Sequence, residues 1–290
     1  MPTFWLSLHV PYACRHSGVC CASGWAIPME RERAAPVTLW RGEASWLRPA
    51  PGAPDDVAGV LATGADGRCV FRTDACELQR ALGPGALPSA CQHFPREVLL
   101  DDRGVFVTLS HYCPTAADLL FSHEGPVEIV RGPEVVPGGV PEGLDARGVL
   151  PPLLRPGMLM DPEALSAWEA HVVRVLTAED GRSPEEALSA LECDAVALQQ
   201  WQPGGVSLAE AVAALSRRTA PRSVVAHADR AGETIVIRRY LAARAFASWL
   251  AYEGGGIRAV LGGLRLVLES LRGEMARCLL YTSPSPRDRG

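Results

Sequence analysis

Residues 12–28 read YACRHSGVCCASGWAIP, and this stretch supplies the first members of a cysteine cluster, Cys14, Cys20 and Cys21. Farther along, GRCVFRTDACEL (67–78) carries two more cysteines, and ACQHFPRE (90–97) and SHYCP (110–114) carry one each. Seven of the nine cysteines of the chain therefore fall in its N-terminal part. This uneven distribution predicts a separate N-terminal module that is organised around its thiols.

Thiolates are soft ligands that suit Zn²⁺ or an iron–sulfur cluster, and short spacings let one loop supply two of them. In a reducing compartment, a cysteine-rich region is expected to bind metal rather than to form disulfides. One tetrahedral zinc ion binds four ligands, and the chain offers seven thiols. Three arrangements are therefore possible: two separate centres, one bridged centre, or one centre with spare thiols. The predicted metal ligands are Cys14, Cys20, Cys21, Cys69, Cys76, Cys91 and Cys113.

Local sequence around the cysteines favours ligation over inert burial. Cys76 falls at a predicted helix N-terminus, where the helix dipole lowers the pKa of a thiol. Arg15 and Arg68 adjoin Cys14 and Cys69, and their charges can offset the negative charge of a thiolate-rich centre. These features predict thiols that ionise readily.

Other residues near the cysteines are weaker candidates for metal ligands or for packing around the centre. His16 lies inside the first motif and is a candidate ligand, whereas His93 and His111 adjoin later cysteines and are weaker candidates. Trp25 is interpreted as a lid of core packing over the centre. Cys193 has apolar helical neighbours and is expected to pack in a core.

The cysteine pattern resembles the CxxCxxCC family, which is described as zinc- or iron-chelating (the YkgJ-like cysteine-cluster proteins), and its flagellin lysine N-methylase branch. Cys14, Cys20 and Cys21 match the first, third and fourth cysteines of that motif, and Ser17 replaces the second. The GWAI that follows (24–27) is similar to the G-W-x-I of the methylase branch. The resemblance covers residues 12–118 and includes stretches 67–71, 76–78, 91–96 and 113–114.

This resemblance implies a metal-binding cysteine-cluster protein. The alternative that it implies is an S-adenosylmethionine-dependent lysine N-methylase acting on flagellin or another surface protein. Because Ser17 is a poor ligand, His16 or a later cysteine can replace the missing thiolate, or the centre has an open position. The sequence holds no glycine-rich strand-to-helix turn typical of a Rossmann-type site, so a methylase would bind its cofactor in another way.

The predicted fold class is α+β, mainly α, with an irregular cysteine-rich module containing short strands followed by a helical C-terminal half. We expect residues 1–124 to form the module, 125–157 a Pro/Gly-rich linker or surface strap, and 158–277 the helical region. Residues 278–290 (CLLYTSPSPRDRG) read like a translated sequencing-library adapter. This tail, with Cys278, is therefore expected not to be native.

The helical half shows clear start and stop signals. Ser183 with Glu186, and Ser207 with Glu210, have the spacing of capping boxes. One helix is predicted over 233–253 and ends at a run of three glycines. The next segment is predicted to be an amphipathic helix packed on its neighbours through an apolar stripe of Ile257, Val260, Leu261, Leu264, Leu268 and Leu271.

Composition and the pattern of apolar residues limit which classes of partner and which cellular location are expected. The formal net charge of -5 gives no reason to expect a nucleic-acid partner, since binding to nucleic-acid phosphates needs a basic face. All 28 basic residues are arginine, which is typical of a GC-rich bacterial genome. The first residues lack the pattern of a secretory signal, and no apolar run reaches the ~18 residues of a membrane span. We expect a cytoplasmic protein that does not enter the membrane, whose partners are a metal ion or cluster and, in the alternative, a protein substrate such as flagellin.

Overall fold

The computed structural model describes residues 1–42, 45–135, 143–218 and 228–282. The strands are β1 Thr3–Leu6, β2 Pro28–Glu30, β3 Leu47–Arg48, β4 Val57–Leu61, β5 Arg96–Asp101, β6 Gly104–Leu109, β7 Ile129–Arg131, β8 Leu144–Asp145, β9 Leu153–Arg155 and β10 Met158–Leu159. The α-helices are α1 Arg31–Arg41, α2 Glu77–Leu82, α3 Ser89–His93, α4 Pro114–Ser122, α5 Pro162–Thr177, α6 Pro184–Leu198, α7 Leu208–Arg218, α8 Ala228–Ala245 and α9 Gly256–Thr282.

The largest sheet has five strands in the order β7–β1–β6–β5–β8. β5 and β6 form an antiparallel hairpin, β1 runs parallel to β6, and β8 runs parallel to β5. β7 completes the opposite edge, antiparallel to β1. The central strands of this sheet are apolar along most of their length, because helices or loops cover both faces.

Successive residues of the hairpin enter two different cores. Val98 packs on the side of Ala116 in α4. Leu99 and Phe106 pack on the other side with Phe246, which follows α8. Since neighbouring side chains of a strand point to opposite faces, the sheet lies between α4 and the C-terminal helices.

A smaller antiparallel sheet, β2–β4–β3, forms a second unit of the N-terminal region. Its core includes Met29, Val37 of α1, Phe71 and Leu78 of α2, and Trp46 is buried beside them. The segments just before β2 and just after β4 carry two cysteines each. This unit therefore holds much of the predicted ligand set.

The C-terminal helices α5–α9 share one core, and several predictions for this region are confirmed. Ser183 and Glu186 form the predicted capping box of α6, with reciprocal side-chain to backbone hydrogen bonds of 3.1 and 2.7 Å. Ser207 and Glu210 repeat the same pair of bonds. The apolar stripe of α9 faces this core, which buries Ile257, Val260, Leu261, Leu264 and Leu268, while Leu271 is partly buried against it.

The helix predicted over 233–253 ends earlier than its pattern indicates. α8 stops at Ala245, Ala247 takes a positive φ of 56°, and a 3₁₀ turn follows over Trp249–Tyr252. This turn places Phe246 in the core behind the sheet, and the Trp249 indole N–H donates to the Val98 carbonyl at 3.0 Å. Tertiary packing therefore ends a helix that local sequence alone would continue.

The predicted linker contributes to the sheets. β7 and β8, both within 125–157, pair with β1 and β5, and β9 pairs with β10. The edges of a sheet offer unpaired backbone groups, and a segment without hydrophobic periodicity can still satisfy them. Residues 136–142 of the predicted linker, and 283–290 of the tail, lie outside the described residues.

An arginine-centred network joins the hairpin to the helical half. Arg103 binds Asp101 at 2.7 Å, forms an ion pair with Glu169 of α5, and lies over the Phe106 ring at 4.4 Å. The Tyr252 hydroxyl donates to Asp101 at 2.7 Å. Because all these groups are at least partly buried, the network fixes the hairpin against α5.

The fold class is α+β, and helices dominate the C-terminal half, as predicted. Within the part of the chain that the structure describes, every helix is too short or too polar to cross a lipid bilayer.

Candidate metal centre

All seven predicted ligands line one cavity of about 500 Å³. On one side, Leu61 and Phe71 of the smaller unit contribute to its wall. On the other side, Phe94 and Arg96 at the start of the hairpin contribute. The fold therefore brings cysteines that are far apart in sequence to one cavity.

Four cysteines, Cys20, Cys21, Cys69 and Cys76, form what we call the thiol wall. Cys20 and Cys21 lie in a 3₁₀ turn, and the Cys69 backbone N–H donates to the Cys21 carbonyl at 2.8 Å. Cys76 lies at the N-terminus of α2, as predicted, where it is the N-cap residue, and a β-bridge joins it to Arg72. Backbone hydrogen bonds thus hold the thiol wall in place.

The remaining three cysteines approach the cavity from other segments. Cys14 is exposed in the N-terminal loop, Cys91 lies in α3, and Cys113 is the N-cap of α4. The Cys113 sulfur lies 3.7 Å from the Tyr12 hydroxyl. Tyr12 is a lining residue that the cysteine pattern did not predict. Burial and the Cys113 contact raise the pKa of Tyr12, which keeps its hydroxyl protonated.

Cys20 and Cys21 interact directly, with their sulfur atoms 4.0 Å apart. The side-chain contact with Cys21 lowers the pKa of Cys20 to about 6, and the same contact raises the pKa of Cys21. The contact therefore favours ionisation of one thiol of the pair over ionisation of both. A thiolate is the form that binds metal.

Other thiols resist ionisation in the absence of a cation. Burial, together with the charges of neighbouring thiols, raises the pKa of Cys91 to about 12, although this side chain is open to the cavity. Burial also raises the pKa of Cys69. A bound cation reverses this effect, because it stabilises the thiolates that it binds.

The thiols surround a space and do not converge on a point. Among the described residues, no three Cys, His, Asp or Glu side chains are grouped closely enough to hold a metal ion. The seven cysteines are thus brought to one cavity, but not to the spacing of a single coordination sphere.

The histidine candidates differ in position. His16 lines the cavity beside Ser17, is exposed, and has a positive φ of 55°. Its backbone N–H donates to the Cys14 sulfur at 3.4 Å. The His93 ring contacts the Ser89 carbonyl at 2.9 Å, and His111 contacts His9 at 3.3 Å. Of the three, His16 is the one placed at the cavity.

The arginines nearest the cavity are not those that sequence adjacency indicated. Arg15 pairs with Asp118 at 3.3 Å, and Arg68 pairs with Asp66 at 3.8 Å. Arg15 and Arg68 therefore form ion pairs with carboxylates, which reduces the positive charge that they offer to the thiols.

Arg72 and Arg96 line the cavity in their place. Arg72 donates to the Asp74 and Ser17 carbonyls. Among the described lining residues there is no aspartate or glutamate. The arginines of the lining are thus Arg72 and Arg96, which sequence analysis missed because neither residue adjoins a cysteine.

Two further predictions are changed by the structure. Trp25 lines the cavity but is 44% exposed, and it lies edge-on to Phe94 and Tyr112 with ring centroids 5.3 and 6.3 Å away. Trp25 therefore lies at the rim of the cavity and is not a buried lid.

Cys193, which was predicted to pack in a core, is exposed on α6. Its apolar neighbours Leu191 and Ala195 occupy the buried face of that helix instead.

Comparisons with protein-family models, with curated proteins and with solved structures found no match to this chain. The resemblance to the cysteine-cluster family and its methylase branch therefore stays a prediction from the motif residues.

Proposed function

We propose that this chain is a cytoplasmic metal-binding protein whose N-terminal cysteines hold zinc or an iron–sulfur cluster in the cavity described above. The observation that carries the proposal is that all seven clustered cysteines line the same cavity of about 500 Å³. Four separate stretches of sequence supply these thiols.

The donor set fits a soft metal centre. Sulfur is the ligand atom that Zn²⁺ structural sites and iron–sulfur clusters use, and no lining carboxylate among the described residues competes for a hard cation. When bound, such a centre would supply cross-links among the loops that carry the cysteines, and hence folding free energy.

The described side chains do not form the ligand group that a single tetrahedral ion needs, so binding requires the cysteines of the cavity lining to move closer together around the metal.

The test is anaerobic purification of the chain, followed by elemental analysis and a visible spectrum. We expect stoichiometric iron with absorbance near ~400 nm for a cluster, or stoichiometric zinc in a colourless protein for a structural site. A reduced, folded protein that contains neither metal, and that takes up neither on anaerobic reconstitution, contradicts the proposal.

A lysine N-methylase that uses S-adenosylmethionine is the second proposed function. Its support is the motif resemblance, together with a cavity volume within the ~300–1,000 Å³ range of small-molecule sites. Incubation of the metal-loaded protein with labelled S-adenosylmethionine and flagellin tests it. Absence of label in flagellin, with an intact metal centre, contradicts this function and leaves the metal-binding proposal standing.

A further inference from the structure

Of the two arginines that line the cavity, Arg96 makes fewer hydrogen bonds than Arg72. Its guanidinium makes one long hydrogen bond, 3.4 Å from Nη1 to the Gln92 carbonyl, and its buried Nε has no hydrogen-bond partner. Among the described residues, no carboxylate lies within ion-pair distance of it. A partly buried guanidinium with free donors is unfavourable unless an acceptor reaches it.

The surroundings of Arg96 provide orientation without neutralising its charge. The guanidinium lies over the Tyr12 ring, 5.4 Å from the ring centroid, and the Tyr12 hydroxyl lies near the Cys113 sulfur. Arg96 and Tyr12 both line the cavity. The two side chains therefore lie side by side in the wall of the cavity, and each carries a hydrogen-bonding group.

We propose that Arg96 and Tyr12 form a subsite of the cavity that binds a small oxyanion bearing a carboxylate or phosphate group. The planar guanidinium matches both groups because each offers two acceptor oxygens to its parallel N–H donors. The absence of lining carboxylates among the described residues removes a competing acceptor. The inference extends the proposed function, since this subsite shares its cavity with the thiols.

Calorimetric titration of the metal-loaded full chain with sodium phosphate, and separately with sodium acetate, tests the subsite at low ionic strength. We expect saturable binding of at least one probe, and the probe that binds identifies the phosphate or carboxylate preference. Arg96→Met should weaken that binding at least tenfold, and Tyr12→Phe should weaken it several-fold. Arg147→Met, which changes an arginine paired with Asp145 away from the cavity, should leave the affinity unchanged.

Several outcomes would overturn the inference. These are failure of both probes to bind the wild-type chain saturably, and equal affinity in Arg96→Met. If Arg96→Met loses metal while the wild type binds neither probe, the guanidinium only balances the charge of the thiolate centre. Arg96→Lys, which keeps the charge but not the planar fork, replaces Arg96→Met if circular dichroism shows that the methionine variant does not fold.

The two proposals fail separately. A chain without metal that still binds a probe through Arg96 contradicts the metal centre and supports the subsite. A chain that contains metal but binds neither probe supports the metal centre and contradicts the subsite.

Discussion

The backbone N–H of Cys69 donates a 2.8 Å hydrogen bond to the carbonyl oxygen of Cys21. This bond joins the loop that precedes β2 to the loop that follows β4, and each loop carries two thiols of the wall. Because the backbone makes the connection, replacing one thiol removes a ligand without removing the link between the loops. Cysteine variants are therefore informative about ligation.

Cys20→Ser and Cys91→Ser should each lower metal content and thermal stability together, since a hydroxyl is a poor replacement for a thiolate ligand. We expect the metal-to-protein ratio to fall by about half or more in each variant. Elemental analysis and thermal unfolding measure the two effects. Cys193→Ser, at an exposed cysteine on α6, is the matched control and should change neither. Unchanged stoichiometry in both cavity variants would contradict thiolate ligation by these residues.

Two glycines of α9 should respond to alanine in opposite directions. Gly256 has a φ of 55°, and a Cβ there would lie 1.9 Å from the Leu153 carbonyl oxygen, so Gly256→Ala should destabilise the fold by about 1–3 kcal/mol. Gly262 is exposed within the helix and a Cβ there meets nothing within 4 Å. Gly262→Ala should therefore stabilise by about 0.5–1 kcal/mol. Urea unfolding midpoints measure both, and equal shifts would contradict the packing at Leu153.

The buried pair of Asp180 and Arg238, 2.9 Å apart, should make stability depend on pH. Burial raises the pKa of Asp180, but hydrogen bonds from Arg182 and Arg238 outweigh it and hold the pKa below its ordinary value. The folded-state pKa thus lies below the unfolded value of about 3.9. The stabilisation is present above that unfolded value and is lost as pH falls through the folded pKa.

Asp180→Asn is the variant that tests this dependence. It should cost about 3 kcal/mol at neutral pH, because it leaves the Arg238 charge buried without its anion. The difference from wild type should shrink as the pH is lowered below about 4. Chemical unfolding at several pH values measures it, with the exposed Asp102→Asn as control. A difference that is independent of pH would contradict the assignment.

Glu169→Gln should loosen the attachment of the hairpin to α5. Arg103 would keep Asp101 but lose the second carboxylate of its network, at a cost of about 1–2 kcal/mol, because the amide oxygen of glutamine still accepts a hydrogen bond. Thermal unfolding measures the change. Glu163→Gln, at an exposed position in the first turn of the same helix, should have little effect. If the two variants are equally stable, the ion pair contributes nothing to that junction.

Local signals predicted the helical half well. The capping boxes at Ser183 and Ser207 each involve residues three apart, so their hydrogen bonds depend on one turn of chain. The apolar stripe of α9 likewise follows from helical periodicity. The end of α8 was predicted less well, because the burial of Phe246 behind the sheet decides it.

Local sequence signals did not predict the short strands β7 and β8. Each is two or three residues long and pairs with a strand from the first 101 residues, so its partner and not its composition makes it a strand. Arg96 was missed as a lining residue for a related reason, since the path of the hairpin brings it to the cavity.

The sequence by itself determined which residues are available for chemistry: a group of clustered thiols, the caps of the C-terminal helices, and the face that α9 buries. These depend on residue type and on neighbours a few positions away. Only the tertiary structure decided that the seven thiols share one cavity, and that Tyr12, Arg72 and Arg96 lie beside them. Such arrangements arise from contacts between distant segments, whose closure depends on the packing of the whole chain.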